Sequence, residues 1–354
     1  MTQTWNFGAG PAMLPPSVLK KIQDELLDWK QGMSVMEFGH RTPEIEGLFL
    51  SLEQNLRVLL KIPAEFTVLF MHGGARAQFS ALPLNLLESG DSADYIVTGH
   101  WSNQAALEAK KFGNIHIGSD TSDSPNPVIP TNAKYVHYTD NETIEGVEFL
   151  TTPILPNQHE PNLIADVTSS ILSKSIDWSK MGAVYASAQK NLGIAGVCVL
   201  IIRQSWLTEN NRPIPAILDF NLMAETKSMY NTPPVFACYV ALLITEWVLA
   251  NGGLKAMQAL CEQRSSLLYD YIDNSNFYVN TVDKQSRSRI NVPFNIKNRS
   301  LEPELLALAT AQGFKQLKGH RVKGGFRASM YNAMPIEGVQ ALVKLLKQFE
   351  QKHR

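Results

Sequence analysis

Between residues 66 and 202 the sequence alternates short apolar segments with helical ones, and no other feature restricts the fold as strongly. FTVLFM (66–71) reads as a buried strand, and the helix after it starts near Arg76. DYIVTG (94–99), KYVHY (134–138), NLIADV (162–167), AVYAS (183–187) and VCVLII (197–202) read as further strands, with a helix over QAALEAKKF (104–112). Continuous runs of Val, Ile and Tyr, without in-and-out alternation, need cover on both faces. Strand and helix in turn then mean an α/β fold with a largely parallel sheet between helical layers.

The pattern changes further on. Helical patterns over 234–250 and 254–273 lead to NFYVN, RSRINVPFNI and GGFRASMY, which read as strands of a separate, more antiparallel sheet. Helices over 302–311 and 336–353 pack against it. At the N-terminus, Gly8, Gly10, Pro11 and Pro15 make residues 1–15 an extended arm. Residues 16–30 then place Leu19, Ile22, Leu26 and Trp29 on one helical face, with Pro16 in the first turn. The expected division is a large domain over 16–255 and a smaller α+β domain formed by 1–15 and 256–354.

Composition excludes several functions. The formal net charge of -1 supplies no chain-wide field for nucleic acid or acidic membranes. Three cysteines, Cys198, Cys238 and Cys261, are widely spaced in apolar patterns without a CxxC, so neither a disulfide framework nor a zinc site is expected. No apolar run approaches the roughly 20 residues of a membrane span. MTQTWNFGAGPAMLPP is neither a signal peptide nor a basic presequence, and a cytoplasmic location is expected.

Six segments carry chemistry. In AVYASAQKNLGIAG (183–196), Lys190 stands past a strand end among small residues. It reads as a solvated loop lysine or as a desolvated amine suited to Schiff-base chemistry. In NLIADVTSS, Asp166 ends a strand 24 residues earlier; it is a turn cap or the partner of a pyridinium nitrogen. MHGGARAQF (71–79) is a plain strand-to-helix turn or an anion cup at a helix N-terminus. Trp101 in GHW is a core tryptophan or a platform for an aromatic ring. From Lys315 to Arg327, five formal positive charges fall within thirteen residues, with His320 among them and no acid. That cluster is a solvated basic face, an RNA contact or a site for phosphate and carboxylate groups. MEFGHRTPE places His40 and Arg41 in a Gly/Pro-bounded loop, either a second small basic site or a charge pair without a role. GxSxG and HExxH are absent.

Taken in order, NFGAGPAMLP, SVMEFGHR, LFMHGGARAQF, HYTDNETIEG, ADVTSSILS, YASAQKN, YNTPPVF, SRINVPF and KGHRVKGGFRASMYNAMP resemble the phosphoserine aminotransferase family over the full length. These are class V members of the fold-type I enzymes that depend on pyridoxal 5'-phosphate (PLP). The resemblance implies a mainly parallel seven-stranded sheet in the large domain. It makes Lys190 the Schiff-base lysine and proton shuttle, Asp166 the partner of the pyridine nitrogen, Trp101 the stacking platform and Thr143 a hydrogen-bond partner of the ring 3′ oxygen. Ala75, Arg76 and Gln189 would hold the cofactor phosphate, joined by Asn231 and Thr232 from the other subunit of a homodimer. Arg327 would grip the substrate α-carboxylate, and His40, Arg41, His320 and Arg321 its distal phosphate or carboxylate, with the SVMEFGHR loop lent by the partner subunit.

Two departures stand out. Gly8-Ala9-Gly10-Pro11 replaces a Ser-Ser-Gly-Pro common in the family, which removes a serine hydroxyl at position 9. HGGARAQ replaces HGGG(x)GQ, and an alanine at 75 is strained if φ there is positive.

The activity implied is ping-pong transamination between glutamate and 3-phosphohydroxypyruvate, with a phosphorylated hydroxythreonine precursor as a second substrate. An alanine–glyoxylate-type enzyme would not need the 320–321 pair. A cysteine desulfurase would need a cysteine in a mobile loop. A nucleic-acid-binding protein would use 315–327 with steep salt dependence and no cofactor.

Overall fold

The computed structural model describes residues 4–118, 133–154, 162–208, 211–321 and 323–353. A short arm strand, β1 (Trp5–Asn6), precedes α1 (Pro16–Glu25) and α2 (Pro43–Leu60). The alternating region follows as β2 (Phe66–His72), α3 (Gly74–Leu86), β3 (Ser92–Ile96), α4 (His100–Ala109), β4 (Asn114–Gly118) and β5 (Val136–Thr139). A small hairpin, β6 (Asn141–Glu142) and β7 (Val147–Glu148), leads to β8 (Leu163–Asp166), β9 (Met181–Ser187) and β10 (Val197–Arg203). Helices α5 (Phe220–Glu225), α6 (Val235–Ala250) and α7 (Gly253–Asp273) come next, then β11 (Tyr278–Val279), β12 (Asn291–Ile296), α8 (Glu302–Ala311), β13 (Phe314–Lys315), β14 (Phe326–Ser329) and α9 (Ile336–Lys352).

Seven strands form the main sheet in the order β2-β10-β9-β8-β5-β3-β4. All neighbours run parallel except β10, which is antiparallel to both β2 and β9. Strand alternation separates the two faces. Leu163 and Ala165 of β8 point into the core beneath α2 and α6, whereas Ile164 joins Tyr95, Phe79 and Tyr185 in the core beneath α3 and α4. Burial on both faces explains why these strands lack a polar side. Helix α6 is apolar around most of its circumference because it packs against α1, α2 and α7 and shares the core of the sheet face beside α2.

A third core gathers α7, α9, β12 and β14. Its small antiparallel sheet has the order β11-β12-β14. Trp5 and Phe7 of the arm join this core, and β1 pairs in parallel with β13. All three cysteines are free and buried.

Four expectations need correction. Helix α1 stops at Glu25 rather than Lys30, because the chain reverses at Gln31 and Gly32 (φ 56° and 77°), with Gly32 N–H donating to Asp28 Oδ1. Its expected apolar face is not sealed: Leu19 and Leu26 are exposed, and Val18 is the buried residue. Strand β4 went unread because it is an edge strand with mostly polar or uncovered residues, NIHIG. Helices α3 and α4 begin earlier than their apolar spacing suggests, at Gly74 and His100, because the first turn of each faces the cleft rather than the core.

Candidate active site

In a sheet of this kind ligands bind beyond the carboxyl ends of the parallel strands. Here a cleft of about 630 Å³ lies past the ends of β5, β8 and β9, roofed by the N-termini of α3 and α4 and by Ala9 and Gly10 of the arm. It brings together nine residues singled out in the sequence: Ala75, Arg76, Trp101, Thr143, Asp166, Gln189, Lys190, His320 and Arg327.

Lys190 follows β9 in a turn fixed from both sides. Asn191 donates from Nδ2 to the Ile171 carbonyl (2.9 Å), and its Oδ1 accepts from Asn332 N–H (2.9 Å). The arm crosses the lysine closely: Ala12 N–H donates to the Gln189 carbonyl at 2.9 Å, and a Cβ on Gly10 (φ 141°) would lie 3.3 Å from Lys190 Cγ. Burial lowers the Lys190 pKa to about 8, against the opposing pull of Asp166 and Glu142. A fraction of the amine is therefore neutral near pH 7, as a nucleophile or base requires.

Asp166 is the last residue of β8 and is buried, with Thr168 N–H donating to Oδ1 at 2.9 Å. Burial raises its pKa, with Thr168 and Lys190 opposing the rise. Among the described residues no cation forms a salt bridge with it, so this buried carboxyl lacks a close positive partner. A protonated ring nitrogen would supply one.

The anion cup is built on glycine. Gly73 and Gly74 adopt φ of 83° and 67°, and a Cβ on Gly74 would lie 2.8 Å from Ser187 Oγ. The positive dihedrals fall on these two residues and not on Ala75, so the alanine is unstrained. Ser187 hydrogen-bonds Gln189, closing the opposite side of the cup.

Trp101 lies in the first turn of α4. Its indole N–H donates to Thr143 Oγ1 (3.0 Å), which leaves the threonine's own hydrogen free to donate onward. Lys190 Nζ sits 5.8 Å and the Arg76 guanidinium carbon 5.4 Å from the Trp101 ring centroid. Arg327 on β14 donates to the Thr143 carbonyl (3.0 Å) and forms no salt bridge among the described residues; burial lowers its pKa. The site thus combines a near-neutral amine, a buried acid, a flat aromatic ring, a glycine cup and a cation without a carboxylate. That donor set fits a phosphorylated aromatic aldehyde such as PLP, and no His/Cys/Asp/Glu cluster suited to a metal occurs among the described residues.

The other predicted residues lie apart. Arg321 is exposed next to the cleft residue His320 but does not itself line the cleft; the His320 ring lies 6.0 Å from that of His100, tilted by 42°, with its pKa lowered by burial and by Arg327. His40 and Arg41 sit in the turn before α2, and His40 Nε2 is buried with no partner among the described residues. Asn231 pairs with His72 at the end of β2 (3.3 Å), and Thr232 adjoins it. None of these four lines this chain's cleft.

Sequence reasoning missed Glu142. It is buried, accepts from Trp101 N–H (3.0 Å) and from both Ser102 N–H and Ser102 Oγ (2.7 Å each), and so caps α4 from another element. Burial raises its pKa to about 7. Residues 138–147 also hold Asp140 and Glu145, so nothing in the sequence sets Glu142 apart from its acidic neighbours.

The aminotransferase class-V family model matches residues 4–342. A phosphoserine aminotransferase of Pseudoalteromonas translucida (strain TAC 125) is 47% identical, the match covering 98% of each chain. A solved phosphoserine aminotransferase from Bacillus circulans subsp. alkalophilus superposes with a TM-score of 0.95 at 40% identity, over 100% of both chains. A PLP-bound phosphoserine aminotransferase from Trichomonas vaginalis gives 0.90 at 38% identity, over 98% of this chain and 100% of the other. A cleft with this donor set, on this sheet and with these relatives, places the chain in the class-V aminotransferases, among the phosphoserine aminotransferases.

Proposed function

We propose that the chain catalyses reversible amino transfer between L-glutamate and 3-phosphohydroxypyruvate, giving 2-oxoglutarate and O-phospho-L-serine, with PLP bound through Lys190. The observation that carries this reading is the convergence of a lysine amine titrating near 8 and a buried Asp166 on either side of one cleft beside Trp101. Once bound, PLP supplies an electron sink for negative charge developing at the substrate Cα. Asp166 holds the ring nitrogen in its protonated form. Trp101 covers one ring face, and Thr143 donates to the 3′ oxygen. Ala75, Arg76 and Gln189 hold the phosphate at the glycine cup.

Lys190 Nζ moves the substrate Cα proton. Arg327, already oriented by the Thr143 carbonyl, takes the α-carboxylate that both substrates share. His320 and Arg321, with His40 and Arg41 from a second subunit, bind the distal group, which is a carboxylate in glutamate and a phosphate in the keto acid. One cationic region serves both because each is an anion at the far end of a short chain. The phosphorylated hydroxythreonine precursor presents the same two anions and belongs to the same substrate class.

The active protein is a homodimer. His40, Arg41, Asn231 and Thr232 lie outside this chain's cleft, and the exposed Leu19, Leu26, Leu27, Met36 and Tyr230 give nearby apolar surface to a partner. Two separate cores, to which the two ends of α7 contribute, support the division into 16–255 and 1–15 plus 256–354. Among the described residues no single helix is long and apolar enough to cross a membrane, and a cytoplasmic setting suits free cysteines and small anionic substrates.

Borohydride treatment of the protein with PLP should attach the cofactor irreversibly to the peptide containing Lys190, with Lys190→Ala unlabelled. Labelling of any other lysine would overturn the assignment.

A further inference from the structure

Asp166 has polar support deeper in the sheet. Register sets Thr139, Asp166 and Tyr185 side by side across β5, β8 and β9. Strand alternation then puts His137 on the same face, two residues before Thr139. Tyr185 is the register neighbour of Asp166 across β8 and β9, and its hydroxyl lies 2.9 Å from His137 Nε2. His137 is 1% exposed and stacks on Tyr95, with ring centroids 4.7 Å apart and planes 20° from parallel. Burial lowers its pKa to about 3, so the imidazole is neutral across the working range.

Proton counting then sets the direction of each bond. In a relay through Tyr185 an ionised Asp166 only accepts, so Tyr185 O–H would donate to it. The tyrosine oxygen must in turn accept from His137 Nε2–H. That tautomer leaves Nδ1 as a bare acceptor, and Nδ1 is indeed buried with no partner among the described residues. The other titratable groups facing Asp166 are Lys190, across the cleft, and the buried Cys198 thiol of β10.

We propose that Tyr185 and His137 are positioning residues for the transamination, forming a hydrogen-bonded relay that aims the Asp166 carboxylate at the cofactor ring nitrogen. The relay rests on the role given to Asp166 under the proposed function. Outer hydrogen bonds of this kind orient the group that touches a cofactor and tune its basicity. Tyr185 serves as more than core packing, because a phenylalanine would fill the same volume without the hydroxyl.

The test uses the holoenzyme and two readouts, kcat and the pH midpoint of the cofactor's visible absorption. Tyr185→Phe removes one hydrogen bond to a charged group and should lower kcat about 10- to 100-fold, with KM for glutamate within about twofold. The absorption midpoint should move upward, because a ring nitrogen less firmly protonated repels the Lys190 linkage proton less. His137→Phe keeps the stack on Tyr95 but loses the donor, and should shift both readouts the same way. His137→Gln retains an N–H within reach and should restore them in part.

If Tyr185→Phe leaves both readouts unchanged while Asp166→Asn shifts them, the relay is wrong and the role of Asp166 stands. If Asp166→Asn shifts neither, the reading of Asp166 fails and the relay fails with it. Should Tyr185→Phe not fold, the His137 pair decides: equal behaviour of Phe and Gln overturns the relay, and rescue by Gln supports it.

Discussion

On the proposed reading, Arg327 serves both substrates. Its guanidinium is partly buried, held by the Thr143 carbonyl and faced by no carboxylate in a salt bridge among the described residues. Arg327→Gln should therefore raise KM for glutamate and for the keto acid alike, by about 10- to 100-fold each, the loss expected for a hydrogen bond to a charged group. Steady-state kinetics at saturating cofactor would show this, with cofactor content unchanged. A selective effect on one substrate would contradict the α-carboxylate assignment. At this scale the chemistry was legible wherever a residue type is unusual for its position. A lysine past a strand end and an acid closing an apolar strand stand out in one dimension. Glu142, Tyr185 and His137 do not, because their roles depend on lateral register between β5, β8 and β9 and on a hairpin reaching across to α4.

Among the elements, α4 is held by Glu142 together with its own Ser102, whose hydroxyl accepts the Gly99 N–H (3.1 Å). The carboxyl accepts the N–H groups of Trp101 and Ser102, and so fixes the helix turn that carries the ring platform. Burial keeps a proton on the folded acid up to about pH 7, against an ordinary value of 4.5. The folded state thus binds more protons than the unfolded one across that window, and stability contributed by Glu142 is lost as pH rises through 7. Glu142→Gln removes the titration, so between pH 5 and pH 8 the wild type should lose stability relative to the variant, by up to a few kcal/mol. Parallel denaturant titrations at the two pH values check this; a constant difference would show that the acid is already ionised at pH 5. Elements with two buried faces, such as β8, β9 and α6, were legible from apolar runs. The edge strand β4 and the β6–β7 hairpin were not, because half-covered, polar or two-residue strands carry little periodic signal.

For the whole molecule, the cleft of one chain contains nine of the expected site residues, and His40, Arg41, Asn231 and Thr232 lie outside it. The proposed dimer with shared sites would account for this and for the exposed Leu19 of α1 and Leu26 and Leu27 just after it. Mixing Lys190→Ala with Arg41→Ala subunits and allowing exchange should restore activity, up to about a quarter of wild type, because half of the dimers are hybrids and each hybrid holds one intact site. Continued inactivity after proven exchange would mean that Arg41 acts in its own subunit's cleft.

The central claim, amino transfer from glutamate to a phosphorylated keto acid, is tested most directly by following the visible cofactor spectrum through the two half-reactions. Glutamate alone should convert the spectrum to the amino form with release of one equivalent of 2-oxoglutarate per site. Adding 3-phosphohydroxypyruvate should then restore the original spectrum and yield phosphoserine. A spectrum that glutamate leaves unchanged, or one that pyruvate restores as readily as its phosphorylated analogue, would contradict the account.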